Sequence, residues 1–217
     1  IENEMFHIQI DSINDQVPVA KGDSITLLEG SSTSILDSGE TSVLDNDEDA
    51  DIEDPRAALT AVLIDGPRAP NFILRGDGTF TYEHDGEESP SDQFTYYATD
   101  GLHDSDSVTV TILITPVNDR PTLSGPLEIA LLERSAERLE LKGFYEDAET
   151  PVESATFAIV SVMNGVTAAL EGHGVLAIEG DAGFSGEGEI TIRVTDTGDG
   201  PSDPLSTEVT LAVKVLP

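Results

Sequence analysis

The chain has 217 residues, with 43 Asp and Glu against 10 Lys and Arg, and so a formal net charge of -33. A surface this negative repels nucleic acid phosphates and offers no basic patch, which excludes nucleic acid as a partner. The hydrophobic share of 38% still fills small cores, so the chain is expected to fold, with bound cations relieving the repulsion between carboxylates. Cysteine is absent, which leaves oxygen-ligated ions as the available staple, and calcium is the expected one. No apolar run approaches the roughly 18 residues of a membrane helix, and the N-terminus lacks a signal-peptide layout. Membrane insertion is not expected.

Taken in chain order, the first element is Ile8-Gln9-Ile10, which runs into Ile13-Asn14-Asp15-Gln16-Val17-Pro18. The same arrangement returns as Ile112-Leu113-Ile114 and Val117-Asn118-Asp119-Arg120-Pro121. A strand that leads into Asn-Asp and then proline marks the passage from one β-module to the next, and the repeat divides the chain into modules. Residues 1–16 read as the end strand and linker of a preceding repeat, 17–117 as a first domain and 118–217 as a second. On that reading the chain is cut from a longer protein whose targeting signals lie elsewhere.

Phe72 to Arg75, Gly76-Asp77-Gly78 and Thr79 to Tyr82 spell a hairpin, because Asp-Gly supplies positive φ between two alternating runs. Phe94 to Ala98 and Ser107 to Thr115 follow as strands, the latter with the period of 2 that a half-buried antiparallel strand requires. Ser135 to Leu141 comes nearest to a helical period, although Leu139 and Leu141 fit a strand equally well. Gly183 to Glu189 reads as a loop, and Thr207 to Leu216 as the last strand. The expected fold is all-β: two tandem Greek-key β-sandwich domains, immunoglobulin-like, in an extended arrangement.

Laid over each other, the two modules place acids at matching positions. Glu29 falls on Glu133, Asp49-Ala50-Asp51 on Asp147-Ala148-Glu149, and Asp100 on Asp196. Asp-x-Asp sets two carboxylates on one side of an extended segment, which suits the six to eight hard oxygens that calcium takes. The competing reading is that acids crowd loops because loops are polar.

Tyr96-Tyr97-Ala98-Thr99-Asp100-Gly101, Val108 to Ile114 and Val117-Asn118-Asp119-Arg120-Pro121 resemble the last third of a cadherin repeat. Val43-Leu44-Asp45-Asn46-Asp47-Glu48-Asp49-Ala50-Asp51 and Asp77-Gly78-Thr79-Phe80-Thr81-Tyr82 resemble the bacterial cadherin-like tandem repeats of large surface adhesins. The second module, in which Gly172-His173-Gly174 replaces the Asp-Gly-Thr-Phe hairpin, is closer to the dystroglycan-type cadherin variant. The resemblance implies calcium held between modules. It assigns Glu29, Asn118, Asp119, Asp147, Glu149 and Asp196 to the middle junction, with Asp85 or Glu87 as a further acid. An upper junction would use Asn14, Asp15, Asp49, Asp51 and Asp100. The linker departs from the cadherin pattern at Ser12 and Pro116, where cadherins carry an Asp.

The implied role is a calcium-rigidified structural spacer of a secreted or cell-surface bacterial adhesin, monomeric as a fragment, whose partners are neighbouring repeats. A module that binds carbohydrate or another cadherin-like domain is the alternative. Catalysis is not expected, since no serine elbow or phosphate-cradling loop occurs. Arg75-Gly76-Asp77 is accounted for by its turn, and His7, His84, His103 and His173 read as solvated surface residues rather than ligands.

Overall fold

A computed structural model describes residues 14–51, 59–126 and 128–217. The strand expected at Ile8 to Ile10, and with it most of the 1–16 segment, lies outside the described residues, as does His7. The chain divides into two compact units, 1–115 and 116–217, each with its own core. Among the described residues there is no α-helix.

The first unit is a sandwich of two sheets. One contains β1 (Ser24–Leu28), β7 (Val108–Thr115), β6 (Ser91–Thr99) and β3 (Thr60–Asp65), in that order. The other contains β2 (Ser32–Thr33), β5 (Phe80–Glu83) and β4 (Asn71–Leu74). β1 runs parallel to β7, with Ile25 opposite Ile112, and the other pairs are antiparallel. Alternation decides what is buried. Phe94, Tyr96 and Ala98 of β6 and Val110, Ile112 and Ile114 of β7 point into the core, where they meet Ile25, Phe80 and Tyr82. Each large side chain so buried stabilises the fold by about 1.5 to 3 kcal/mol.

The Asp77-Gly78 turn closes the β4–β5 hairpin with Gly78 at φ +80°. A Cβ there would lie 2.2 Å from Ser42 Oγ and 2.8 Å from Leu44 Cγ, so the segment carrying Val43 and Leu44 can pack onto the hairpin only against glycine. The Tyr96 hydroxyl shares its one proton between the Val43 carbonyl (2.8 Å) and Asp47 Oδ2 (3.1 Å), which pins the acidic 45–51 segment to the core. Lys21 N–H donates to Asp47 Oδ1 from the other side (2.7 Å).

The second unit repeats the plan. β12 (Thr156–Met163), β15 (Gly186–Thr195), β16 (Ser206–Leu216) and β9 (Glu128–Leu132) form one sheet. β10 (Ala136–Glu140), β14 (Val175–Gly180) and β13 (Val166–Glu171) form the other, and β11 (Tyr145–Glu146) pairs with β8 (Thr122–Leu123). Again the first long strand, β9, lies parallel to the last, β16. The ambiguous 135–141 segment is β10 followed by a short 3-10 turn, Leu141–Phe144, which buries Leu141. Gly172-His173-Gly174 closes the β13–β14 hairpin, where the Asp-Gly turn sits in the first unit.

The loop expected at Gly183 to Glu189 is corrected: it ends at Gly186, where β15 begins and pairs with Val215 of β16. The glycine there serves packing. A Cβ on Gly188 would lie 2.4 Å from the Asn164 carbonyl oxygen, so the bare backbone lets the turn between β12 and β13 close over the strand.

Candidate metal centre

In both units the strand that ends nearest the module's entry segment, β6 in one and β15 in the other, stops immediately before an aspartate, Asp100 or Asp196. In the second unit Asp196 is 3% exposed. Its Oδ1 accepts the N–H groups of Gly198 and Leu205, both at 2.8 Å, and its Oδ2 accepts Asn118 Nδ2 at 3.2 Å. Asn118, 7% exposed, also donates to the Asp203 carbonyl (3.1 Å), so its amide nitrogen is saturated and its Oδ1 is left buried without a partner.

Asp147 follows β11 and folds back on its own loop, where Oδ1 accepts the N–H groups of Glu149 (3.2 Å) and Thr150 (2.7 Å). Its Oδ2 is buried and unpaired. Glu149 Oε1 accepts Asp119 N–H at 2.8 Å, and Oε2 is again buried and unpaired. Burial foremost, with Asp147 as a neighbouring carboxylate, pushes the Glu149 carboxyl up from its ordinary value.

The first unit builds the same arrangement from its own residues. Asp49, 2% exposed, accepts Asp51 N–H on Oδ1 (2.9 Å) and leaves Oδ2 buried and unpaired. Asp51 Oδ2 accepts the N–H groups of Asp15 (2.8 Å) and Gln16. Asp100 Oδ1 accepts the N–H groups of His103 and Leu102, both at 2.7 Å. Those donors, the His103 N–H first and the Asn14 amide behind them, hold the Asp100 carboxyl below the usual carboxylate range. Asp100 Oδ2 and Asn14 Oδ1 are buried and unpaired.

Buried polar atoms in native proteins almost always find a partner, because an unmet carboxylate or carbonyl oxygen forfeits its hydration. Here unmet atoms recur at matching positions, Asn14 with Asn118 and Asp49 with Asp147, and these four are hard oxygens. Six to eight such oxygens at about 2.3 to 2.6 Å are what calcium takes. The donor set fits that ion.

Residues 14–116 match the family model described as bacterial cadherin-like domain. This chain carries a bacterial cadherin-like domain. Over both units the fold is similar to crystal structures of cadherin ectodomains. Human protocadherin-24 EC1-2 is 15% identical with a TM-score of 0.60, and covers 94% of this chain and 100% of its own. Mouse cadherin-23 EC22-24 is 18% identical with a TM-score of 0.58, and covers 93% of this chain and 67% of its own. Likeness at this identity establishes the fold. A search of curated proteins finds no match.

The opposite end of the cadherin-like unit carries Glu29, Asp85 and Glu87. Glu29 N–H donates to the Thr115 carbonyl, and Asp85 and Glu87 lie exposed in the loop after β5. His84 corrects the expectation of a solvated surface histidine. It is buried, and its Nδ1 accepts the N–H groups of Gly30 and Gly86, both at 3.2 Å, so that it ties the Glu29 turn to the Asp85 loop. His173 is exposed, set edge-on to Phe157, with Nε2 2.7 Å from the Val152 carbonyl.

Asp23, absent from the candidate set, was hidden because its partners lie far along the chain. Its Oδ1 accepts Asn46 Nδ2 (2.9 Å) and its Oδ2 is buried without a partner. Burial, and then the charges of Asp47, Glu40 and Asp45, raise its pKa to about 7. The folded chain therefore holds the Asp23 proton more tightly than the unfolded chain, for which the value is 3.8. The associated stability is present in full below about pH 4 and is lost as pH rises through about 7. Asp23→Asn should raise the melting temperature of this unit by several degrees at about pH 8 and change it little at about pH 4. Melting curves at the two pH values check this, and an equal effect at both would refute it.

Proposed function

We propose that the chain is a pair of calcium-rigidified spacer modules, 17–117 and 118–217, of a large bacterial extracellular or cell-surface adhesin, partnered by neighbouring repeats of the same chain and without an enzymatic role. The observation that carries this reading is the set of buried, unpaired oxygens that each unit holds, Asn14, Asp49 and Asp100 in one and Asn118, Asp147 and Glu149 in the other, with Asn14 matching Asn118 and Asp49 matching Asp147. Backbone N–H groups hold one oxygen of each aspartate in place and leave the other turned away from any protein donor. Such a set is pre-organised for a cation and strained without one. Cadherin-like domains occur as tandem repeats, and the two successive copies of one plan in this chain agree with that use. No helix among the described residues is long and apolar enough to cross a membrane.

Calcium bound only by the folded state adds RT ln(1 + [L]/Kd) to stability. With Kd on the order of 0.1 to 1 mM, the range of extracellular modules, several millimolar calcium should raise the melting temperature well above its value in chelator. Magnesium, smaller and reluctant to shed water, should do less. Superimposed melting curves in chelator and in calcium would remove the basis of the proposal.

A further inference from the structure

The entry end of the cadherin-like unit carries a nitrogen donor, His103, that the corresponding end of its neighbour lacks. The loop after β6 turns back at His103, whose N–H binds Asp100 Oδ1, and this brings the imidazole over the same carboxylate. His103 Nδ1 lies 3.6 Å from Asp100 Oδ2. That separation is too long for a hydrogen bond. Both atoms are nonetheless buried and unpaired, on side chains 1% (Asp100) and 36% (His103) exposed. Two ligands that each stand 2.0 to 2.2 Å from one tetrahedral ion are about 3.4 Å apart, close to the separation found here. The Asn14 side chain reaches the Asp100 carboxylate, and its Oδ1 is a third buried, unpaired donor atom. In the second unit Asp196 is followed by Thr197-Gly198-Asp199, which supplies no imidazole, so that set is all oxygen.

We propose that His103 Nδ1, with Asp100 and Asn14, makes the entry end of the first unit a mixed nitrogen and oxygen site for a borderline divalent cation of the zinc class, while the corresponding end of the second unit takes only hard ions. This rests on the reading that both ends hold divalent cations. Imidazole favours zinc, cobalt and nickel, whereas carboxylate and carbonyl oxygens alone favour calcium and magnesium, so one nitrogen is enough to separate the two ends. The imidazole must bind as the neutral tautomer protonated on Nε2.

Cobalt(II) titrated into the metal-stripped full chain is the probe, read by visible absorption and by the imidazole proton resonances. The expected result is ligand-field bands that saturate at one cobalt per chain, with strong paramagnetic shifts on His103 and not on His84 or His173. His103→Gln should abolish the bands and weaken cobalt binding at least tenfold. The same variant should keep its melting temperature in chelator and its response to calcium. Paramagnetic shifts on another histidine, or bands that survive His103→Gln, overturn the proposal. The wild-type resonances decide even if the variant fails to fold. The calcium arm tests the spacer reading separately, since a wild-type chain that ignores calcium yet binds cobalt through His103 refutes that reading and leaves this one standing.

Discussion

Phe94→Ala is expected to lower the melting temperature of the first unit by on the order of 15 to 25 °C and to leave the transition of the second where it is. Phe94 sits at the centre of the first core, its ring 4.6 Å from Phe72 and 6.4 Å from Phe80 between centroids. Truncation removes the transfer free energy of the ring and leaves a cavity that rigid strands on either side cannot collapse into, a loss of about 3 to 5 kcal/mol. For a unit of this size, each kcal/mol shifts the transition by roughly 4 to 8 °C. The second unit draws its core from other residues, Leu176, Ile178, Ile190, Leu211 and Val213 among them. Calorimetry on the whole chain should therefore show one displaced and one unmoved transition, and Leu176→Ala should reverse the roles. Joint displacement of both transitions by Phe94→Ala would mean that the chain melts as one cooperative block.

What could be read in the sequence was what repeats at short range. β6 and β7 announce themselves because Phe94, Tyr96 and Ala98, and Val110, Ile112 and Ile114, alternate with polar residues at the period of the pleat. The Asp77-Gly78 turn was legible from a dipeptide whose backbone demands are local. The acids of the candidate site were legible for a different reason: the chain contains the pattern twice, and Asp49 with Asp147, or Asp100 with Asp196, occupy matching places. The remainder depends on partners distant in sequence. His84 looks like any polar loop residue until Gly30, 54 positions earlier, presents its N–H to the ring. Asp23 gives no sign of its raised pKa because Asn46 and Asp47 reach it only through the fold. Gly188 is a strand residue that pairs with Val213, and it is a glycine because the Asn164 carbonyl crowds it, a contact that composition does not encode. Nor could the sequence say which oxygen of each acid is tied to backbone and which is left free, the distinction on which the metal reading depends.

That distinction separates two substitutions in the second unit. Asp196→Ala should destabilise in calcium and in chelator alike. It leaves Asn118 Nδ2 and the N–H groups of Gly198 and Leu205 without their acceptor in a buried place, and each unmet donor costs about 1 to 3 kcal/mol. Asp147→Asn should behave otherwise. The amide oxygen can still accept from Glu149 and Thr150 N–H, so the loop keeps its form. Removing the negative charge also relieves Glu149, whose carboxyl is raised partly by Asp147. The melting temperature in chelator should stay level or rise slightly. What is lost is the anionic Oδ2, and with it the calcium term, about 2 kcal/mol at 5 mM calcium for a Kd near 0.1 mM. That is on the order of 10 °C for a unit of this size. Melting the wild type and both variants in chelator and in calcium gives the comparison. An Asp147→Asn chain that still gains the full wild-type increment on adding calcium would show that the ion is not held by the Asp147 carboxylate.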